Sequence, residues 1–447
     1  MLARAGDKPL LKGFPLNRMS RCVASRDQPE IRRTASMIRI VFLIGSLHRG
    51  GAEKQLTLLV RGLDHSRFHC TVVTIYGGGQ LAHELDDIEN VEVISIHKGG
   101  RSDSIPALLR LRRLVTKLNP DIVHGYLDSA NVLALFIGKS VRTRVVWGVR
   151  SSTVDPTQLD IVSRMYCRLG SLLSSRVDLV IANSTAGQRY VTALGYPADR
   201  VIAIPNGFET GRFERDMLAR SLARKSWGIA DDTPVVGLVA RLDPIKDHPT
   251  FLRAAALLLQ QEPEVRFVCV GGGGSPEYER ELRQLARDLS IEHAVIWAGE
   301  TADMPAAQNG LDVASLVSVS EGFANAIGEA MACAVPCVVT DVGDSAAIVG
   351  ETGIVVPPGN PEALRDAWQA LLELTPDERG QQGARARLRI LEHYSVEALV
   401  GRTTTALLSL LSNHSLDRDD DITQPSALTS TRVDEACRHD GEKLLDR

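Results

Sequence analysis

The strongest constraint on the fold is an alternation that runs through most of the chain. Short apolar or β-branched runs recur at Ile38–Ile44, Cys70–Ile75, Val91–Ile96, Asp121–His124, Val145–Gly148, Val177–Ala182 and Val201–Ile204. A second series follows at Val235–Ala240, Arg266–Val270, Ala294–Ala298, Val313–Ser318, Cys337–Thr340 and Gly353–Val356. Between them lie stretches with apolar residues at helical spacing, such as Glu53–Leu63, Ile105–Leu118, Pro249–Gln260, Tyr278–Leu289 and Glu362–Leu374. Strands that alternate with helices form parallel sheets covered on both faces. Two such series predict two doubly wound α/β domains in tandem, residues 37–206 and 207–390, facing each other across a cleft. Ligands of open α/β sheets bind outside the carboxyl ends of the strands, so that cleft is the expected site.

The ends differ in character. Residues 1–36 are basic and unpatterned and lack the apolar core of a secretion signal, so they read as a disordered leader, with Met37 a natural first residue. Residues 391–412 are expected to be a helix packing back on the first domain, and 413–447 a polar, disordered tail. A net charge of −4 gives no reason to expect a nucleic-acid partner. Seven scattered cysteines fit a reducing compartment, and Cys333 and Cys337 lack zinc-site spacing and read as small core residues. No apolar run is long enough to span a membrane.

Chemistry concentrates in Ser320–Gly343, SEGFANAIGEAMACAVPCVVTDVG. It reads as loop, helix, turn, strand and loop, with Glu321 at the helix entrance and Glu329 eight positions on. At ~1.5 Å per residue the two acids stand roughly 12 Å apart, too far to act on one bond but suited to the two ends of an elongated ligand. Free N–H groups of Gly322–Asn325 would face an anion between them. A Glu at a helix start also serves simply to complement the helix dipole, so these two acids alone are weak evidence. Arg241 and Lys246 flank LDPI directly after a strand, where two cations suit a diphosphate. Gly50 and Gly51 sit in a strand–loop–helix unit that brings backbone close to phosphate, although it is not a GxGxxG fingerprint, which disfavours a nicotinamide dehydrogenase.

The segments VARLDPIKDHPTFLRAAALL, VGGGG, WAGETADMP and SEGFANAIGEAMACAVPCVVTDVGD, with GGAE and IPNGFE, resemble family 4 of the retaining glycosyltransferases, over about Met37–Leu411. The resemblance implies the two-Rossmann GT-B fold, with an acceptor-side first domain and a donor-binding second domain. It implies that Arg241 and Lys246 hold the donor diphosphate, that Glu321 meets the transferred sugar, and that Glu329 binds the ribose hydroxyls. Phe323, Ala324 and Asn325 would offer backbone N–H groups, Gly50 and Gly51 would admit the diphosphate, and the base would lie near Gly272, Trp297 and Gly299. His124 would serve the acceptor side. Tyr126 and Arg150 stand where many relatives carry histidine, and GDSAAIV lacks a Glu that many relatives carry. The implied substrates are a UDP- or other nucleotide-sugar and a glycan or lipid-linked acceptor. No cofactor or metal is implied, and the family habit is surface polysaccharide synthesis in the cytoplasm, peripheral to the membrane's inner face. A sugar-nucleotide-binding regulator and a sugar-nucleotide 2-epimerase of the same fold are the competing readings.

Overall fold

A computed structural model describes residues 37–48, 50–150 and 161–419. The leader 1–36 and the tail beyond 419 lie outside the described residues.

Seven strands form the first sheet: β1 (Ile38–Ile44), β2 (Phe68–Thr74), β3 (Val91–Ser95), β4 (Ile122–Tyr126), β5 (Arg144–Val149), β6 (Leu179–Ala182) and β7 (Val201–Ala203). Their order is β3-β2-β1-β4-β5-β6-β7, and every pairing is parallel. Six more form the second sheet: β8 (Val235–Val239), β9 (Arg266–Val270), β10 (Val295–Gly299), β11 (Val313–Leu316), β12 (Cys337–Thr340) and β13 (Ile354–Val356). Their order is β10-β9-β8-β11-β12-β13, again all parallel. Central strands are buried on both faces, which explains why Ile38–Ile44 is a continuous apolar run rather than an alternating one. Each sheet reverses winding direction beside its first strand, between β1 and β4 and between β8 and β11. These are the switch points at which doubly wound sheets leave a crevice.

The chain crosses between the lobes twice, at adjacent places. Phe208 N donates to Tyr394 O at 2.8 Å, and Val396 N donates to Phe208 O at 3.2 Å. The helix Val396–Asp419 then lies against the first lobe, with Leu399 and Leu407 buried in the core that contains Ile40, Phe42 and Leu56. This helix runs on past Asn413, so the expected start of the tail is corrected: an uninterrupted helical segment continues to Asp419. Two further helices, Ile161–Ser174 and Pro376–His393, escaped the apolar pattern. The cysteines at 70, 269, 333 and 337 are free and buried, and burial pushes the Cys333 thiol up to about 12, as expected for small core residues.

Candidate active site

The β8 and β11 carboxyl ends carry the residues singled out in the sequence. After β8, Asp243 accepts a hydrogen bond from Ile245 N at 3.1 Å and caps the single tight turn Pro244–Lys246. Val319 N donates to Ile245 O at 2.9 Å, tying this turn to the loop after β11. The result is a direct ion pair between Lys246 Nζ and Glu321 Oε1, with only 19% and 11% of the two side chains exposed. Ser318 Oγ donates to the same carboxylate oxygen at 2.8 Å, and Ser318 O accepts from Thr340 Oγ1 at 2.8 Å. Glu321 is therefore fixed from both sides. Behind it, Gly343 adopts φ +58°, and a Cβ there would fall 2.3 Å from the Glu321 carbonyl oxygen. Only glycine allows β12's loop to pass that close.

Glu321 stands four residues before the helix, which begins at Asn325, so the expectation of a Glu at the helix entrance is corrected. Asn325 N donates to Phe323 O at 2.9 Å, so this N–H is engaged inside the loop. The Asn325 side chain accepts from Asn206 Nδ2 at 2.9 Å, and Gly51 packs against it, with a Cβ position 3.1 Å from Asn325 Nδ2. Gly50 is the extended residue preceding the helix Gly51–Gly62. These contacts bring the glycine loop after β1 onto the start of the Glu329 helix. Phe323 and Ala324 are buried, and the Phe323 ring stacks on Phe208 at 6.1 Å, at the crossing between lobes.

Arg241 is far more open, with 70% of its side chain exposed and Asp243 Oδ2 at 3.0 Å. Its loop is stitched to the neighbouring glycines: Leu242 N donates to Gly272 O at 3.0 Å, and Gly271 N to Gly299 O at 2.8 Å. Arg241, Gly272 and Gly299 thus share one rim. Trp297 stands two residues before Gly299 in β10. It is partly buried against the helix-covered core, with the Arg283 guanidinium 5.3 Å above its ring.

Glu329, on the Asn325–Ala332 helix, is pushed up to about 7 by burial, with Arg212 and Lys54 pulling it down and Glu209 adding to the rise. Nearby charges form a network that the sequence did not reveal: Lys54 pairs with Glu84 at 3.1 Å and with Glu209 at 3.0 Å, and Arg61 pairs with both acids. Asp344 was also missed. Its carboxylate accepts from Thr185 N at 2.6 Å and Ala186 N at 2.8 Å, capping a helix of the opposite lobe (Thr185–Ala193) across the cleft. The signal was present, an acid immediately after the Gly343 turn.

His124 stands in the first lobe, the one expected to take the acceptor. It lies within β4, fully buried, its ring 5.5 Å from Phe42 and 4.7 Å from Tyr126. Burial, and then the charge of Arg150, holds its imidazole well below the usual range, so it is neutral.

Comparisons with known proteins agree with this geometry. Residues 50–207 match the model described as "Glycosyl transferase 4-like domain", and residues 233–374 match "Glycosyl transferases group 1". The chain belongs to the group 1 glycosyltransferases. This glycosyltransferase is 24% identical over 69% of its length to the putative glycosyltransferase EpsF of Bacillus subtilis, covering 80% of that protein. It is 32% identical to a D-inositol 3-phosphate glycosyltransferase of Kineococcus radiotolerans, over 47% of this chain and 53% of that one. Among solved structures, Anabaena Alr3699/HepE in complex with UDP superposes with a TM-score of 0.73 at 25% identity, covering 83% of this chain and all of that one. The two parallel-sheet lobes are accordingly the GT-B fold.

Proposed function

We propose that this glycosyltransferase moves a hexosyl group from a UDP-sugar to a glycan or lipid-linked acceptor, with retention at the anomeric carbon and without a metal. The observation that carries the reading is the Lys246–Glu321–Ser318 cluster at the β8/β11 switch point, beside Arg241 and the Gly272–Gly299 rim. Lys246 and Arg241 supply positive charge where a departing diphosphate needs it, the task a divalent cation performs elsewhere. Two such cations near a half-buried diphosphate contribute several kcal/mol. Glu321, fixed by Lys246 and Ser318, orients the transferred sugar, and Glu329 accepts from the ribose hydroxyls. In the reaction the bond from the anomeric carbon to the diphosphate oxygen breaks. The acceptor oxygen bonds to that carbon, and its proton passes to the departing diphosphate. Positioning and charge do the catalysis, with the departing diphosphate itself taking the acceptor's proton.

The UDP assignment is supported by the UDP-bound Anabaena relative. A placement against the cytoplasmic face of a membrane, in surface polysaccharide synthesis, is supported by the helix Ser104–Leu118. That helix exposes Ile105, Leu108 and Leu109 on an element that also carries Arg112 and Arg113. The deciding experiment incubates the purified protein with UDP- and GDP-sugars and analyses products with and without acceptor lipids. Nucleotide release coupled to a retained glycosidic product is expected. Epimerised donor without acceptor indicates a 2-epimerase, and tight UDP-sugar binding with no product over hours indicates a regulator.

A further inference from the structure

Arg150 follows the last residue of β5 and stands at the carboxyl edge of the first sheet. Its guanidinium carbon lies 4.4 Å from the centre of the Tyr126 ring, which in turn contacts His124 and Phe42. This stack is short of partners. Both ring nitrogens of His124 and Arg150 Nε are buried without any hydrogen-bond partner. Native interiors seldom leave such atoms unpaired. Three of them in one stack mark a place short of a hydrogen-bonding group.

The charge on Arg150 says which kind. Other arginines withdrawn from water are satisfied: Arg220 and Arg224 share Asp312, each at 2.6 Å, Arg144 holds Asp178 at 2.9 Å, and Arg387 and Arg389 donate to backbone carbonyls. Arg150, half-buried, pairs with no carboxylate among the described residues. A partly desolvated guanidinium without a counter-charge is unfavourable alone and favourable once an oxyanion fills its fork. His124, being neutral, adds no competing charge beside it.

The place is the acceptor side of the cleft. Asn183 N donates to Val149 O at 3.1 Å, so β5's end adjoins β6's end. Two residues on, Thr185 N meets Asp344 of the second lobe, and the neighbouring Gly343 lies against the Glu321 carbonyl. The end of β5 is therefore linked through Asn183, Thr185 and Asp344 to the loop that carries Glu321.

We propose that Arg150 is the anion-binding residue of an acceptor subsite, with Tyr126 beside it, and that the protein selects acceptors bearing a phosphoryl or carboxylate group near the accepting hydroxyl. The inference rests on the glycosyltransferase reading for the word acceptor, but the anion site can be tested without it. Thermal shifts are recorded with inorganic phosphate and, separately, with acetate, at constant ionic strength, with and without saturating UDP. Wild type is expected to respond in both UDP conditions, more strongly to phosphate if the natural group is phosphoryl and to acetate if it is a carboxylate. Arg150→Gln should need at least tenfold more anion for half the shift while binding UDP as wild type does. Arg150→Lys, a milder change, should keep the charge but lose the fork and fall between them. No anion response in wild type, or equal responses in wild type and both variants, overturns the proposal. A failure of wild type to bind UDP would instead count against the donor-site reading, with the phosphate comparison made without UDP still deciding this one.

Discussion

Glu329→Gln separates the cost of a buried acid from its use. Burial pushes the Glu329 carboxyl from its ordinary 4.5 up to about 7. An acid whose folded pKa lies above its unfolded one holds more protons when folded. Stability is then greatest below about pH 4.5 and declines as the pH rises through about 7. At about 1.4 kcal/mol per unit, the full shift corresponds to about 3 kcal/mol. Glu329 keeps part of its surface in water, and screening there reduces the figure to about 1–2 kcal/mol. Glutamine fills nearly the same volume without the charge. Urea unfolding should therefore find Glu329→Gln more stable than wild type by about 1–2 kcal/mol above pH 7, with the two converging near pH 4.5. If the carboxylate accepts the ribose hydroxyls, the same variant binds UDP about tenfold more weakly, because charge-assisted bonds are lost. Binding of UDP by wild type near pH 6.5 should also release protons, measurable by calorimetry in buffers of different ionisation heat. Parallel stability profiles for the two proteins, or an undiminished UDP affinity in the variant, would refute the reasoning.

Arg241→Ala removes a mostly exposed pair, so its stability should change by less than about 0.5 kcal/mol, while UDP affinity by calorimetry falls about tenfold. Lys246→Ala removes the cation paired with the Glu321 carboxylate, leaving Ser318 as a neutral donor, and should lower both affinity and stability, the latter by about 2 kcal/mol in denaturant titration. Gly343→Ala drives a Cβ into the Glu321 carbonyl, and steady-state kinetics should show kcat reduced about 100-fold, with UDP affinity less affected. Asp344→Asn weakens the bond to Thr185 and Ala186. It should cost about 1 kcal/mol and give a more open scattering profile in the presence of UDP; an unchanged profile would mean the contact does not hold the lobes.

The strands were legible because their residues are buried on both faces, and β-branched runs such as Val235–Val239 have no other stable use in a chain of this kind. The helix Pro376–His393 was not, because it buries the small residues Gly383 and Ala386 with Ile390, while Arg387 and Arg389 spend their guanidinium groups on backbone carbonyls. Charge-rich sequence of that sort carries little apolar periodicity. The site was legible where loops directly follow strands, as with Lys246 and Glu321. Burial was less legible: His124 lies inside β4 on the face of Ile122 and Tyr126, and Trp297 lies within β10. Asp344 went unseen because its partner lies 159 positions away in the other lobe, a relation that only the folded chain creates.

The return of the chain across the lobe boundary at Ser395 has a practical corollary for dissecting the protein. Leu399 and Leu407 seal apolar surface contributed by residues near the other end of the sequence, and Val400 fits against Gly62. A fragment stopping near residue 206 would expose that surface and be prone to aggregate. To study the first lobe by itself, the segment from Val396 to Asp419 would have to be spliced back onto it or added in trans.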